Sequence, residues 1–269
     1  MMMGSEVGWY LYAFVSRGDL PPRTGIDGHS PLNCIDEKGI VALASQVPLA
    51  EFGEEALRRN VEDLGWLEEK VRLHEAIVEA ALAKGQLLPM KFGTIFLDQE
   101  RIREVIRKNA PVLRAALEEL SDKEEWGVKG FVDETGLRAA VLQNDPVLVA
   151  LSGEASAKAP GHAFFHRRKI EEAASAKSQE REASLAREAV EAIRKLVVEL
   201  AEYPPLLPEV ARKEKIVLNL ACLVRKNRVE AFLARVEQWS RDHAEEGVSL
   251  VASGPWPPYH FVPRLDADG

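Results

Sequence analysis

Cysteine is scarce in this chain, and that scarcity excludes two ways of stabilising a small fold. The sequence holds Cys34 and Cys222, which are far apart and lie outside any CxxC pattern. Two cysteines build neither a disulfide framework nor a four-cysteine zinc site. We therefore expect a protein of a reducing compartment, with a cytoplasmic location.

Long hydrophobic runs are lacking as well. No apolar segment reaches the roughly 20 residues that a membrane-spanning helix needs. The opening residues 1–6, MMMGSE, lack the basic n-region and the apolar core of a signal peptide. The pattern predicts a soluble protein, which would meet any hydrophobic assembly through a folded surface.

Positive charge is in deficit, because 35 Lys and Arg residues face 43 Asp and Glu residues, giving a net charge of −8. Such a chain has no general electrostatic attraction to nucleic acid or anionic lipid. The obvious basic run, residues 167–169, includes Arg168 and Lys169 and is followed at once by Glu171 and Glu172. On a helix these charges pair across i,i+3 and i,i+4, so the run indicates a solvated face rather than a phosphate site.

Motifs that carry catalysis are also missing. The sequence has no GxxxxGK[ST] or GxGxxG loop for phosphates, no GxSxG nucleophile elbow and no HExxH zinc helix. Thr94 beside Gly93 could present a hydroxyl, but no general base is identifiable. These absences weigh against an enzyme without excluding one, because catalytic residues can also meet from distant positions.

Three histidines stand out, and for each the sequence favours a structural role. His162 and His166 are spaced i,i+4, which places both on one helical face as in some zinc sites. A third ligand is not adjacent, so surface or interdomain histidines are favoured over a metal site. His74 interrupts an apolar helical stripe, and a hydrogen-bonded core histidine is favoured over a catalytic base.

The rest of the composition is that of an ordinary globular protein. The 269 residues are 46% hydrophobic and 29% charged, which is enough to build substantial cores. This length favours two domains over one.

Hydrophobic periodicity predicts alternating strands and helices in the first half. A strand at 9–15 is apolar on both faces, so it should lie inside a covered sheet. A turn-rich loop over 18–30 separates it from a second strand at 40–47. One long helix is then predicted over 54–84.

A further strand is predicted at 87–96, and Pro89 should lie at the strand start or on a sheet edge because proline lacks a backbone donor. Asp98 is the predicted N-cap of the next helix, which Pro111 should kink or divide.

The second half shows the same alternation, with longer helices. Strands are predicted at 126–132, 216–224 and 248–252, and helices at 136–151 and 162–200. The middle of the second helix is poor in large apolar residues, which indicates a segment in solvent or against a partner. Asn227 and Glu230 resemble a capping box that opens a last helix.

This order predicts an α+β protein of two domains, with relatives of the ferredoxin-like sandwich as the natural fold. We place an N-terminal domain at 1–121, a C-terminal domain with long helices at 122–254, and an ordered tail rich in proline and aromatic residues at 255–269.

Several stretches taken together resemble one known family. They are residues 66–75 leading to LPMKFGT at 88–94, EWGVK at 125–129, FFHRRK at 164–169, and LNLACLV at 218–224 followed by GPWPPYHF at 254–261. The patterns PxxFGT and GPWPPYxF are the most specific. In order and spacing the stretches resemble the GvpL/GvpF gas vesicle proteins over nearly the whole chain. Residues 161–165, GHAFF, depart mildly from a family pattern that often has a tyrosine before the phenylalanine.

The resemblance implies a non-enzymatic accessory or minor structural role in gas vesicle assembly, with no enzymatic activity and no cofactor. The implied partners are the small hydrophobic shell protein GvpA and other accessory proteins. The implied fold has two α+β domains, the first a modified ferredoxin-like fold, and a C-terminal tail. The candidate motif or interaction residues are Trp66, His74, Pro89, Phe92, Gly93, Thr94, Arg168, Lys169, Pro255, Trp256, Pro257, Pro258, Tyr259 and Phe261.

Two interpretations of the tail remain open at this point. The three prolines stiffen it and its aromatic rings can bury against the body of the protein, which favours a tied-down C-terminus over an exposed hook for a partner. Two rival functions also remain, namely a ferredoxin-like protein that binds a small regulatory ligand, and a hydrolase or transferase with an unrecognised site.

Overall fold

The computed structural model describes residues 6–16, 23–156, 160–204 and 214–265, with the backbone alone for 154–156 and 160–165. Its contacts divide the chain into two units. The first unit comprises Met1–Glu124 together with Trp256–Gly269, and the second comprises Glu125–Pro255.

The first unit mixes one antiparallel sheet with helices. Its elements are β1 (Val7–Val15), β2 (Leu32–Glu37), β3 (Ile40–Pro48), α1 (Leu49–Phe52), α2 (Glu54–Asn60), α3 (Leu64–Leu82), β4 (Leu87–Pro89), β5 (Ile95–Phe96) and α4 (Gln99–Glu119). The strands are ordered β2-β3-β1-β4, and β5 also pairs with β1. Residues 8–15 of β1 are all buried, which confirms the prediction that the first strand is covered on both faces.

The hairpin between β2 and β3 corrects the predicted strand list, in which β2 was absent. Its two turn residues, Lys38 and Gly39, both have positive φ, at 53° and 72°. A two-residue turn of this kind matches the right-handed twist of the strands that it joins. Residues 36–39 therefore close a hairpin instead of merely leading into one strand.

The predicted single helix over 54–84 is wrong. The chain leaves the helix after α2, and Asp63 starts α3 afresh by accepting hydrogen bonds from the backbone N–H groups of Gly65 and Trp66. An acidic N-cap satisfies donors that a helix start otherwise leaves without partners. The predicted strand over 87–96 is likewise two short strands, β4 and β5, separated by a turn.

Helix α4 confirms its predicted cap, and Pro111 does not divide it. Asp98 accepts a hydrogen bond from the N–H of Arg101 at 2.9 Å. The helix then runs through Pro111 without division. Its buried residues include Ile106 and Leu113, which are seven positions apart and so lie on one apolar face. Burial of that face offsets the single backbone hydrogen bond that proline removes.

The second unit also combines one sheet with helices. Its elements are β6 (Lys123–Val132), α5 (Glu134–Asn144), α6 (Pro146–Ser156), α7 (Pro160–Arg194), β7 (Glu199–Glu202), β8 (Lys215–Arg225), α8 (Val229–Asp242) and β9 (Val248–Trp256). The strand order is β7-β8-β6-β9, and β7 and β8 are antiparallel.

Several predicted boundaries in this unit are wrong for local reasons. The helix predicted at 136–151 divides at Asp145, whose carboxylate caps α6 by accepting from the N–H groups of Val147 and Leu148. Asn227 does not cap α8, because it lies in a 3₁₀ turn and Arg228 occupies the cap position without a side-chain bond.

The long helix α7 is shorter and better packed than predicted. It ends at Arg194, and Glu199–Glu202 form strand β7 where the sequence indicated helix. Helix α7 packs against α5 and α6 with one face, where Ala174 is fully buried, while the other side of its middle, including Glu171 and Glu172, is exposed. Small side chains there permit the close approach of neighbouring helices.

Candidate functional site

The tail motif and the FGT motif meet in the first unit. Tyr259 of the tail stacks on His74 of α3, with ring centroids 6.4 Å apart and planes 29° apart. The ring of Phe92 meets His74 edge-on at 5.9 Å and Trp66 edge-on at 6.4 Å. The fold thus joins motif residues that lie up to 185 positions apart in the chain.

A chain of hydrogen bonds runs through these aromatic side chains. The N–H of Gly93 donates to Tyr10 Oη at 2.9 Å, and Tyr10 Oη lies 3.0 Å from His74 Nδ1. On the other side of the imidazole, Nε2 lies 3.0 Å from Tyr259 Oη, which donates to Glu75 Oε1 at 3.0 Å.

The order of donors fixes the tautomer of His74. Tyr259 has one hydroxyl proton and gives it to Glu75, so its oxygen accepts from Nε2–H of His74. Nδ1 is then the acceptor and takes the proton of Tyr10. Both ring nitrogens are therefore occupied by protein hydroxyls, which agrees with the structural role favoured for His74 over that of a catalytic base.

The ionisation of the network follows from its burial. Burial lowers the pKa of His74 to about 4, against a smaller opposing effect of the Met90 backbone, so the imidazole is neutral at neutral pH. Burial raises the pKa of Tyr10 and of Tyr259, which both stay protonated. Burial also raises the pKa of Glu75, although the hydrogen bond from Tyr259 partly opposes that shift.

A second buried tyrosine secures the loop that follows β1. Tyr12 Oη lies 2.7 Å from Ser45 Oγ and accepts a hydrogen bond from the N–H of Ile26 at 2.8 Å. A Cβ on Gly25 would lie 2.1 Å from Ser45 Oγ, so the loop approaches the sheet too closely for any larger residue. The pKa of Tyr12 is raised to about 12 by burial.

Sequence reasoning missed Tyr10 and Tyr12 as functional positions, because both were assigned to one apolar face of the first strand. A signal was available. A tyrosine on a fully buried strand carries a hydroxyl that needs a polar partner in the core.

The FGT turn between β4 and β5 explains three of the motif residues. Gly93 has φ of 81°, a conformation that favours glycine, and Thr94 Oγ1 donates to the carbonyl of Lys91 at 2.7 Å. The carbonyl of Thr94 accepts from the N–H of Leu11 at 2.9 Å, which ties the turn to β1. Pro89 ends β4 at the edge of the sheet, where a missing donor is tolerated.

Trp66 belongs to a small charged cluster beside the network. Its Nε1 donates to Glu51 Oε1 at 2.9 Å, and the same carboxylate oxygen lies 3.4 Å from Lys70 Nζ. The ammonium group of Lys70 also lies 5.8 Å from the ring centroid of Phe52. A nearly buried lysine is thereby paired, as its desolvation requires.

The tail residues differ among themselves in exposure. Pro257 and Pro258 are buried, and Tyr259 and Phe261 are partly buried, so this part of the tail is tied down. The Trp256 side chain is 44% exposed, which leaves an aromatic ring at the surface. Pro255, an exposed residue of β9, is the last residue of the second unit.

The remaining motif residues, Arg168 and Lys169, lie on exposed positions of α7 in the second unit. Arg168 Nε pairs with Glu172 Oε1 at 2.9 Å across i,i+4, the solvated pairing that the sequence predicted. The His162 side chain lies outside the described residues, and His166 is partly exposed. Over the described ranges, no three His, Cys, Asp or Glu side chains are grouped as metal ligands would be.

The second unit carries a cleft of about 380 Å³, which is relevant to the rival hypothesis of a protein that binds a small regulatory ligand. Apolar groups of Val141 and Pro146 line it together with Arg181 and Glu246. The guanidinium of Arg181 donates to both carboxylate oxygens of Glu246 at 2.6 and 2.7 Å, so this cation is already paired with a carboxylate.

None of the helices in the described part of the chain has the length and apolarity that crossing a membrane requires.

Comparison with known proteins gives one consistent answer. A model of the family described as gas vesicle synthesis protein GvpL/GvpF matches residues 8–263. Gas vesicle protein L of Streptomyces sp. (strain CB03234) is 29% identical, over 96% of this chain and 94% of that protein. Gas vesicle protein F of the same organism is also 29% identical, over 94% of this chain and 98% of that protein.

Solved structures show the same fold. The crystal structure of gas vesicle protein GvpF from Anabaena sp. PCC7120 has a TM-score of 0.67 at 19% identity, covering 96% of this chain and 97% of that one. GvpF from Microcystis aeruginosa has a TM-score of 0.63 at 20% identity, covering 96% and 99%. Both units of the chain therefore lie within the similarity.

Proposed function

The chain belongs to the gas vesicle synthesis protein GvpL/GvpF family, and we propose that it acts as a non-enzymatic accessory or minor structural protein in gas vesicle assembly. The observation that carries this proposal is the family match across residues 8–263, which spans both units. The engagement of both His74 nitrogens by tyrosine hydroxyls supports an architectural role for the motif residues rather than a catalytic one.

The proposed partners are the hydrophobic shell protein GvpA and other accessory proteins, met in the cytoplasm and at the vesicle. A shell subunit with exposed apolar elements would self-associate before incorporation. A soluble acidic protein that covers such a surface would keep the subunit available for nucleation or growth of the shell. The net charge of −8 supports solubility of the resulting complex.

One apolar surface is a candidate for the shell contact. Val7 begins β1 and is 46% exposed, and Leu97 follows β5 and is 71% exposed. Strands β1 and β5 are antiparallel and pair Trp9 with Phe96, so Val7 and Leu97, which lie just beyond that pair, are at the same end of the sheet. Burial of these side chains by a partner would be favourable in proportion to the apolar area removed from water.

Co-expression with GvpA followed by affinity capture tests the proposal. We expect the full chain to retain GvpA, and the double substitution Val7→Asp, Leu97→Asp to lower the retained amount at least fivefold. Leu64→Asp is the matched control, because Leu64 is 78% exposed on α3 of the same unit. Failure of the unaltered chain to retain GvpA or any accessory protein would overturn the proposed function. An equal loss with Leu64→Asp would overturn only the proposed surface.

We also propose that the first unit is a modified ferredoxin-like fold. The central place of β1 between β3 and β4, with helices α3 and α4 after β3 and β5, supports this assignment. The proposed domain boundaries remain 1–121, 122–254 and 255–269. Limited proteolysis that cuts the chain near 121–125 and near 254–256 would support them, whereas a first cut inside α3 or α7 would count against them.

A further inference from the structure

The strap, defined as residues 257–261, enters the first unit at a place with two opposed polar groups. His74 presents Nε2–H as a donor, and Glu75 presents Oε1 as an acceptor. Both lie 3.0 Å from the same oxygen, Tyr259 Oη. With the strap in place, His74 is 1% exposed and Glu75 is partly exposed, so the strap helps to cover the imidazole while the carboxylate keeps some contact with solvent.

The chemistry of the pair selects one kind of ligand. A hydroxyl can accept one hydrogen bond and donate another at a single atom, whereas a carboxylate only accepts and an ammonium only donates. The ring that carries the hydroxyl stacks on the imidazole of His74 with planes 29° apart. Tyr259 also packs against the buried aromatic and aliphatic cluster that includes Tyr10 and Tyr12. The site therefore matches a phenol in its polar atoms and in its flat apolar body.

We propose that His74 and Glu75 form a phenol-binding pocket, which the chain fills with its own Tyr259 so that the strap docks as an intramolecular ligand. The occupant is this segment of the chain itself. The strap is a detachable element, held by a specific side chain, and its release uncovers an imidazole and a carboxylate in an aromatic surround.

The backbone hydrogen bonds of the strap support the proposal that the Tyr259 side chain docks it. The N–H of Tyr259 bonds to the carbonyl of Pro257 at 2.7 Å, and the N–H of Phe261 bonds to the carbonyl of Pro258 at 3.1 Å. These bonds lie within the strap, and its two prolines have no N–H to donate. The phenol of Tyr259 is thus a polar link between the strap and α3. Substitutions of Tyr259 or Glu75 therefore test the docking without changing a residue of the sheet.

Hydrogen exchange in the full-length protein tests the docking. In Tyr259→Phe, we expect exchange of the amides in a peptide covering 256–265 to accelerate about tenfold, because His74 Nε2–H and Glu75 Oε1 each lose their hydrogen-bond partner on the strap. Exchange in β1 and α3 should change less than twofold. Unchanged exchange in the strap would overturn the proposal, and so would an equal acceleration in β1, which would make Tyr259 an ordinary core residue.

Two substitutions of Glu75 separate the hydrogen bond from the packing. Glu75→Gln keeps an acceptor oxygen for the phenol, so strap exchange should stay within about twofold of that of the unaltered protein. Glu75→Leu removes the acceptor and should reproduce the Tyr259→Phe result. Tyr203→Phe, a tyrosine change in the second unit, is the control and should leave the strap unaffected. Equal effects of the Gln and Leu substitutions would overturn the proposed role of the acceptor.

Chemical complementation tests the pocket itself. In Tyr259→Gly, millimolar p-cresol should raise Tm and slow strap exchange towards the rate of the unaltered protein, while toluene at equal concentration should do neither. Adding Glu75→Leu should abolish the p-cresol response. Absence of a p-cresol response, or an equal response to toluene, would overturn recognition of the hydroxyl. If the glycine variant does not fold, the exchange experiment with Tyr259→Phe decides the proposal alone.

Discussion

The cores of the two units are built on different principles. In the first unit, polar side chains are buried together with their hydrogen-bond partners. Tyr10, Tyr12 and Ser45 are fully buried, and His74 is nearly so. The second unit has a mainly aliphatic and aromatic core, although it also buries the charged residue Glu125. Burial, and to a smaller extent the charge of Glu125, raises the pKa of the Cys222 thiol to about 12. Its strong ion pair, Arg181 with Glu246, remains partly exposed.

This difference separates two sources of stability. An apolar core depends on volume and tolerates any side chain of suitable size and shape. A buried polar network depends on which atom donates and which accepts, and it loses free energy when either changes. Most of the motif residues that identify the family lie in the unit with the polar network.

The largest effect is expected from the apolar core. Phe232→Ala should lower the free energy of unfolding by about 3–5 kcal/mol, because it removes a fully buried ring from α8 and leaves a cavity. Urea denaturation measures the loss. Leu233→Ala, a partly buried neighbour on the same helix, is the control and should cost clearly less. Equal losses would mean that the core relaxes around the missing ring.

A pH-dependent loss of about 3 kcal/mol is expected from His74 in the first unit. Its folded pKa of about 4 lies below the ordinary value of 6.5, so between these pH values the unfolded chain binds a proton that the folded protein does not. Stability from this group is fully present above pH 6.5, falls as the pH drops, and levels off below about 4.

Urea denaturation of the unaltered protein and of His74→Gln across this range measures that contribution as the difference between the two profiles. Glu75 acts in the opposite direction, because its raised pKa makes protonation favour the folded state as the pH falls. Glu75→Gln removes that contribution and serves as the control. Parallel profiles for the unaltered protein and His74→Gln would show that the imidazole is not the titrating group.

Tyr12→Phe should lower the free energy of unfolding by about 1–3 kcal/mol while keeping the volume of the core. The substitution leaves the N–H of Ile26 and the hydroxyl of Ser45 without their shared partner in a buried place. Tyr203→Phe in the second unit is the matched control and should cost less, because Tyr203 is 37% exposed. A neutral Tyr12→Phe would contradict the importance of polar matching in this core.

The smallest effect is expected from the exposed ion pair of α7. Arg168→Ala should shift Tm by less than about 2 °C, because both side chains of the Arg168–Glu172 pair are largely in solvent. The control is Arg181→Ala, which removes a bidentate and half-buried pair and should shift Tm more. A larger shift for Arg168→Ala would indicate that this surface is more than a solvated face.

The predicted elements succeeded where periodicity was long and failed where one residue changed the direction of the chain. Strands β1, β3, β6 and β8 follow from spacing alone. The breaks at Asp63 and Asp145 were missed, because a carboxylate that restarts a helix looks like any other acidic residue on a helical surface until the local turn is known. Strand β7 was missed because its sequence, ELAE, suits a helix equally well and only pairing with β8 makes it extended.

The candidate site shows the same division. The motifs predicted His74, Gly93 and Tyr259 as candidate motif or interaction residues, and the apolar stripe predicted that His74 is buried. Tyr10 and Glu75 were not predicted, because each owes its role to a partner from a distant segment. No spacing rule in a single sequence joins a hydroxyl on β1 to an imidazole on α3 and a phenol near the C-terminus.

The sequence by itself determined the class of the protein, through the scarcity of cysteine, the acidic balance, the alternation of strands and helices, and the motifs PxxFGT and GPWPPYxF. Those properties are local or compositional, so they can be read without knowing which segments touch. Only the tertiary structure decided that His74 carries its proton on Nε2 and that Tyr259 fills the place beside it. Hydrogen-bond direction, burial and pKa depend on neighbours in space, and the fold is what chooses those neighbours.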